Sequence, residues 1–148
     1  MTVSAEELKK QLTWLKKHYK FVTLREVVDH VETGKALPEK GVLITFDDGY
    51  ENNYTLAYPV FKQMGIPFSI FLVGNFLHKK VNYDGIQQQF LRLEQLHHMH
   101  GLVQYGYHGF NHENLMDLPQ AQWEEEIKKG KEISNAFSLT FENAWAYT

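Results

Sequence analysis

Along the chain, apolar positions fall first at helical spacing and then in short unbroken runs. Leu8, Leu12 and Leu15 form one stripe, and Ser4 with Glu7 three residues on is a capping-box signal ahead of it. Thr23 and Glu26 repeat the signal before Leu24, Val27, Val28 and Val31, and Gly34 suits the stop. After the polar connection Leu37-Pro38-Glu39-Lys40 comes Gly41 to Phe46, an almost wholly apolar run. Continuous hydrophobicity over so few residues predicts a strand buried on both faces, as in a parallel sheet.

The alternation continues. Ala57, Val60, Phe61 and Met64 predict a helix whose regular part starts near Pro59, with the proline in its first turn, and Gly65 ends it. Pro67 to Val73 is a second apolar strand, Gly74-Asn75 a loop, and residues 78–85 are polar and irregular. Ile86, Phe90, Leu93 and Leu96 predict an amphipathic helix that runs into His97-His98-Met99-His100 and is capped by Gly101. Leu102 to Tyr107 reads as a third strand. Pro119 opens a last helix carrying Trp123, Ile127 and Phe137, and Asn143 to Tyr147 starts a fourth strand. The order β–α–β–α–β–α–β, without linker or repeat, predicts one α/β domain over residues 1–148, its parallel strands alternating with helices. Functional groups of such a sheet collect beyond the carboxyl ends of its strands.

Two of those ends carry chemistry. The first strand closes in Asp47-Asp48-Gly49. One aspartate there would serve as a helix N-cap, but packing does not account for an adjacent pair after an apolar strand. Gly49 permits a sharp turn that brings both carboxylates to the mouth of a site. The third strand closes in His108-Gly109-Phe110-Asn111-His112. Histidines at i and i+4 can share one side of a helical turn, as zinc sites use. Two imidazoles and one carboxylate make a three-ligand set that leaves a position for water, and the second carboxylate is then free to act as base.

Composition narrows the chemistry. The chain has no cysteine and eight histidines, so any metal must be held by nitrogen and oxygen. A formal charge of -3 excludes a generally basic nucleic-acid binder. No run approaches the roughly 18 apolar residues of a membrane span, and no charged-then-apolar leader opens the chain. His97, His98 and His100 read as a solvated helix end, and His18, His30 and His78 as surface. Trp14 and Trp123 are expected in the core, Glu124-Glu125-Glu126 on a solvated helix face, and Asn53-Tyr54-Thr55 matches a glycosylation sequon.

Leu43 to Tyr50, LITFDDGY, resembles the TFDDG motif of the polysaccharide deacetylases (carbohydrate esterase family 4, the NodB-homology domain). His108 to His112 is similar to the family's His-Ser/Thr-x-x-His motif, with Gly109 in place of the hydroxyl residue; Ala57, Pro59 and Gly65 to Leu72 also match. The N-terminal helices and the Leu37-Pro38 lead-in are similar to the branch acting on β-1,6-linked poly-N-acetylglucosamine. The resemblance implies a distorted (β/α)7 barrel. It implies metal-dependent hydrolysis of N-acetyl groups on an N-acetylglucosamine-containing polysaccharide or oligosaccharide, outside the cytoplasm. Asp48, His108 and His112 would be the metal ligands and Asp47 the general base. Zn2+ would be the metal, with Co2+, Ni2+ or Mn2+ as substitutes. Trp145 to Thr148 resembles the start of a third motif, and 148 residues fall short of the roughly 250 of a full barrel. An incomplete domain without the family's acid histidine is therefore expected. Two other readings follow from the same residues: a non-catalytic relative that binds metal or glycan, and a metal amidohydrolase acting on a small acyl substrate.

Overall fold

The computed structural model of the chain describes residues 3–83 and 85–147, which leaves Thr148 of the expected third motif outside the described residues. Both N-terminal helices form where their caps predict. The first, α1 (Ala5–His18), starts at Ser4, whose hydroxyl accepts the Glu7 N–H at 3.1 Å. Next, α2 (Leu24–Thr33) starts at a reciprocal capping box between Thr23 and Glu26 and stops at Gly34, which is left-handed at φ 76°. Between them lies β1 (Lys20–Phe21), too short to show any period in the sequence, paired in parallel with β2 (Gly41–Val42).

The strand expected over 41–46 is divided. Gly41–Val42 belongs with β1, while β3 (Thr45–Phe46) pairs with β4 (Phe68–Leu72) in a separate sheet. Its position at the sheet edge leaves Phe46 half-buried and Thr45 exposed, rather than covering both faces. The strand that does match an unbroken apolar run is β4, buried along all its length between β3 and β7 (Val103–Tyr107). With β8 (Phe141–Trp145) the sheet is four-stranded and wholly parallel, in the order β3-β4-β7-β8.

A π-helical turn over Asn53–Ala57 leads into α3 (Tyr58–Met64), with Pro59 in its first turn and Gly65 as its left-handed stop. Asn53 is buried there, so the sequon is not presented to solvent. The helix expected from Ile86 is corrected. Lys80–Tyr83 (β5) and Ile86–Gln89 (β6) form an antiparallel hairpin, and α4 covers only Leu93–Met99. Ile86 is exposed and Phe90 fully buried, so their helical spacing never formed one face; Gly85 at φ 74° allows the turn instead. The last helix, α5 (Gln120–Ala136), follows Pro119 as expected.

The core gathers on Phe61, fully buried, which meets Phe68 at 4.3 Å and Phe46 edge-on at 5.9 Å between ring centres. Leu12 of α1 reaches this cluster, whereas Trp14 is 55% exposed and not a core residue. Two positions from Leu12, it lies on the far side of the helix. Val31 is likewise exposed, and Trp123 is half-buried with its indole N–H donating to Leu118 O at 3.0 Å.

Gly49 is the tightest point between the fold and the strand ends. It is left-handed at φ 80°, and a Cβ on it would stand 2.6 Å from Cδ2 of the buried Leu72. Gly49→Ala is expected to lower stability by about 1–3 kcal/mol, through backbone strain and overpacking together. A urea midpoint equal to that of the unsubstituted protein would show that the turn relaxes freely.

Candidate metal centre

Parallel pairing sets the carboxyl ends of β3, β4, β7 and β8 side by side along one sheet edge. At the end of β3 the chain reverses through two left-handed residues, Asp48 at φ 67° and Gly49 at φ 80°, closed by a Gly49 N–H to Asp47 O bond of 2.8 Å. Left-handed backbone is uncommon for a residue with a Cβ, although aspartate tolerates it better than most. Gly49 O also accepts the Leu91 N–H at 2.9 Å, and Tyr50 stacks on Phe90 at 5.0 Å, so the turn is held from the β6 side.

His108 follows β7 directly and is 3% exposed. Its backbone N–H donates to Leu72 O at 3.0 Å. Its Nδ1 lies 2.9 Å from Ala146 O; a carbonyl only accepts, so Nδ1 carries the proton and Nε2 is turned toward Asp48. The segment 108–112 is not the helical turn that the i, i+4 spacing suggests. Gly109 at φ 78° and His112 at φ 63° bend it into a loop, and the two imidazoles still meet, with ring centres 5.1 Å apart.

The three expected ligands converge. His108 Nε2 and His112 Nε2 stand 3.3 Å and 3.0 Å from the same oxygen, Asp48 Oδ1. One ligand atom of each residue lies within 4.8 Å of the others. Oδ1 is buried, with both imidazole nitrogens close to it. One carboxylate oxygen and two imidazole nitrogens gathered this closely suit a divalent cation. Asp47 is exposed and outside this set, though its charge reaches His108.

The electrostatics of these three residues follow from their crowding. Burial disfavours the Asp48 charge, but the His108 hydrogen bond, the His112 charge and a Tyr50 hydrogen bond outweigh it and hold the carboxyl below its ordinary range. Burial likewise disfavours a charged His108, yet Asp48 and the Ala146 carbonyl raise its pKa above the ordinary histidine value.

The remaining histidines, His18, His30, His78, His97, His98 and His100, are all exposed and belong to no such group among the described residues. Glu126 departs from expectation. It is buried, not solvated, and its carboxylate accepts the N–H groups of Phe110 and Asn111 at 2.8 Å and 3.1 Å. The acidic run masks a usable signal: Glu126 shares a helical face with Gly130 and Ile133. Ala146 also escapes sequence reasoning, because it acts through its carbonyl, which every residue possesses.

A sequence model of the polysaccharide deacetylase family matches residues 34–147. The chain is 31% identical, over 157 aligned residues, to a poly-β-1,6-N-acetyl-D-glucosamine N-deacetylase of Staphylococcus epidermidis, covering 99% of this chain and 53% of that protein. It is 32% identical to a putative polysaccharide deacetylase of Bacillus subtilis, covering 90% of this chain and 46% of that protein. Among solved structures, IcaB from Ammonifex degensii superposes with a TM-score of 0.85 at 27% identity, over 99% of this chain and 66% of that one. The chain thus spans about half the length of the curated relatives it matches.

At these three residues a proton and a metal ion would compete. In the metal-free protein, His108 contributes stability fully below its unfolded pKa of about 6.5 and loses it as pH rises through the higher folded value. Asp48 contributes above its unfolded pKa of about 3.9 and loses it as pH falls through the lower folded value. A metal needs the His108 Nε2 proton gone, so Zn2+ affinity measured by calorimetry is expected to rise between about pH 6 and pH 8. An affinity flat across that range counts against imidazole ligation. Asp48→Ala and His108→Ala are each expected to bind less than one equivalent, and full occupancy in both would overturn the ligand set.

Proposed function

The chain belongs to the polysaccharide deacetylase family, and from that premise we propose that it is the metal-binding portion of an N-deacetylase for N-acetylglucosamine polymers. The observation carrying this reading is the convergence of Asp48, His108 and His112 on one point at the sheet edge. The Staphylococcus epidermidis relative, whose alignment covers 99% of this chain, supports the β-1,6-linked polymer as substrate class. Zinc is the metal best suited to a two-histidine, one-carboxylate set with an open position, and cobalt, nickel or manganese would substitute.

When bound, the cation supplies Lewis acidity for water and for the acetyl carbonyl. The chain's own residues do the rest. His108, fixed through Nδ1 by the Ala146 carbonyl, presents Nε2 in a set orientation. Asp48 brings negative charge to a buried position where it needs a cationic partner. Asp47, exposed beside the ligand turn, is the general base: it accepts a proton from the attacking water as the oxygen bonds to the acetyl carbon. The amide C–N bond then breaks, acetate leaves, and the amine nitrogen takes up a proton.

Asp47→Asn removes the base while leaving all three ligands. It is expected to keep its Zn2+ and lose about 10²–10⁴-fold in acetate release from acetylated β-1,6-linked glucosamine oligomers. Near-normal turnover would place the base elsewhere. Metal uptake by the unsubstituted protein without acetate release would replace this reading with a binding role. Release from small amides alone would favour an amidohydrolase.

A further inference from the structure

Glu126 is a buried carboxylate that the chemistry above does not use. Burying a charge is costly, and an apolar side chain would attach α5 to the sheet at less cost. What a carboxylate supplies instead is two acceptor oxygens at fixed spacing.

Both oxygens are committed to the loop between the two histidines. Oε2 accepts the successive backbone N–H groups of Phe110 and Asn111, and Oε1 accepts Asn111 Nδ2 at 2.9 Å. Two consecutive N–H groups aimed at one oxygen form an anion nest, a backbone shape that an unpaired loop does not keep unaided. From the opposite side the turn after β4 completes the hold. Gly74 N–H donates to Gly109 O at 3.1 Å, Asn75 N–H to Phe110 O at 2.8 Å, and Asn75 Nδ2 to Asn111 Oδ1 at 3.0 Å. The next residue is His112, left-handed at φ 63°.

We infer that Glu126 is a positioning residue, which presets the 109–111 loop so that His112 Nε2 meets the His108 and Asp48 ligand atoms before any metal arrives. The inference rests on the metal-site reading above. Glutamine at 126 is nearly isosteric but cannot accept at both ends: its amide nitrogen must face either the nest or Asn111 Nδ2, both of them donors.

The experiment measures Zn2+ binding by calorimetry and the visible spectrum of the Co2+-loaded protein for Glu126→Gln, Asn111→Ala and the unsubstituted chain. Thermal unfolding of each metal-free protein serves as the control for folding. The expected result is a folded Glu126→Gln variant with Zn2+ affinity about 10–100-fold weaker and an altered Co2+ spectrum. Asn111→Ala should shift both readouts in the same direction by less. A glutamate that merely holds the fold would lower the unfolding temperature and leave both readouts of the folded protein unchanged, which overturns the inference. Failure of both variants to fold overturns it too, since Glu126 would then be a residue of the fold and not of the site. If the unsubstituted protein binds neither metal, the metal reading itself fails. If it binds and the variants bind equally well, only the role of Glu126 fails.

Discussion

A buried carboxylate oxygen has to be balanced by positive charge or by donors, and Asp48 Oδ1 imposes that requirement on this fold. Here the balance comes from His108 and His112, both within 3.3 Å. The result is a site that is electrostatically poised: one carboxyl held ionised, one imidazole drawn toward its cationic form. A divalent cation would resolve the same imbalance more completely, because one atom of each of the three residues lies within reach of a common ion. A competition between proton and metal would therefore follow from the geometry.

That geometry depends on the sheet. Asp48 and His108 are far apart in sequence and meet because β3 and β7 flank β4 in parallel register, with Leu72 O receiving the His108 N–H. A one-residue slip of β7 would turn His108 to the other face, since side chains alternate along a strand. Full burial of β4 sets that register, and the aromatic cluster around Phe61 and Phe68 anchors β4 from the helical side. Core packing and ligand placement are thus coupled through one strand that carries no ligand itself.

Much of this was legible in the residues, and the boundary of legibility has a physical meaning. Caps at Ser4 and Thr23, the stop at Gly34, the run over β4 and the chemistry at both strand ends depend on side-chain type and spacing, which a sequence displays. The hairpin over residues 80–89 was hidden because Ile86 and Phe90 imitate a helical stripe while lying on opposite sides of burial. Trp14 reads as core because an aromatic on a helix suggests packing, yet its angular position faces outward. Glu126 was misplaced for the reverse reason, its neighbours Glu124 and Glu125 being exposed. Ala146 contributes a main-chain oxygen, and no residue type marks that.

Asp48, His108 and His112 do not bear equal conformational cost. His108 extends from a regular strand, whereas Asp48 and His112 both sit at positive φ, at about 1–3 kcal/mol each where a Cβ is present. Strain of that size persists only when neighbouring contacts over-determine the backbone. At Asp48 those contacts are the Gly49 bonds and the Tyr50–Phe90 stack; beside His112 they are the Glu126 carboxylate and the turn at Gly74–Asn75. Gly49 and Gly109 each adjoin a ligand, at φ 80° and 78°, where glycine adds no steric penalty of its own. Supporting bonds therefore concentrate at the two strained residues, and at the unstrained one, His108, a single carbonyl orients the ring. The distribution follows the strain, because a left-handed backbone at a residue with a Cβ persists only where neighbouring contacts hold it.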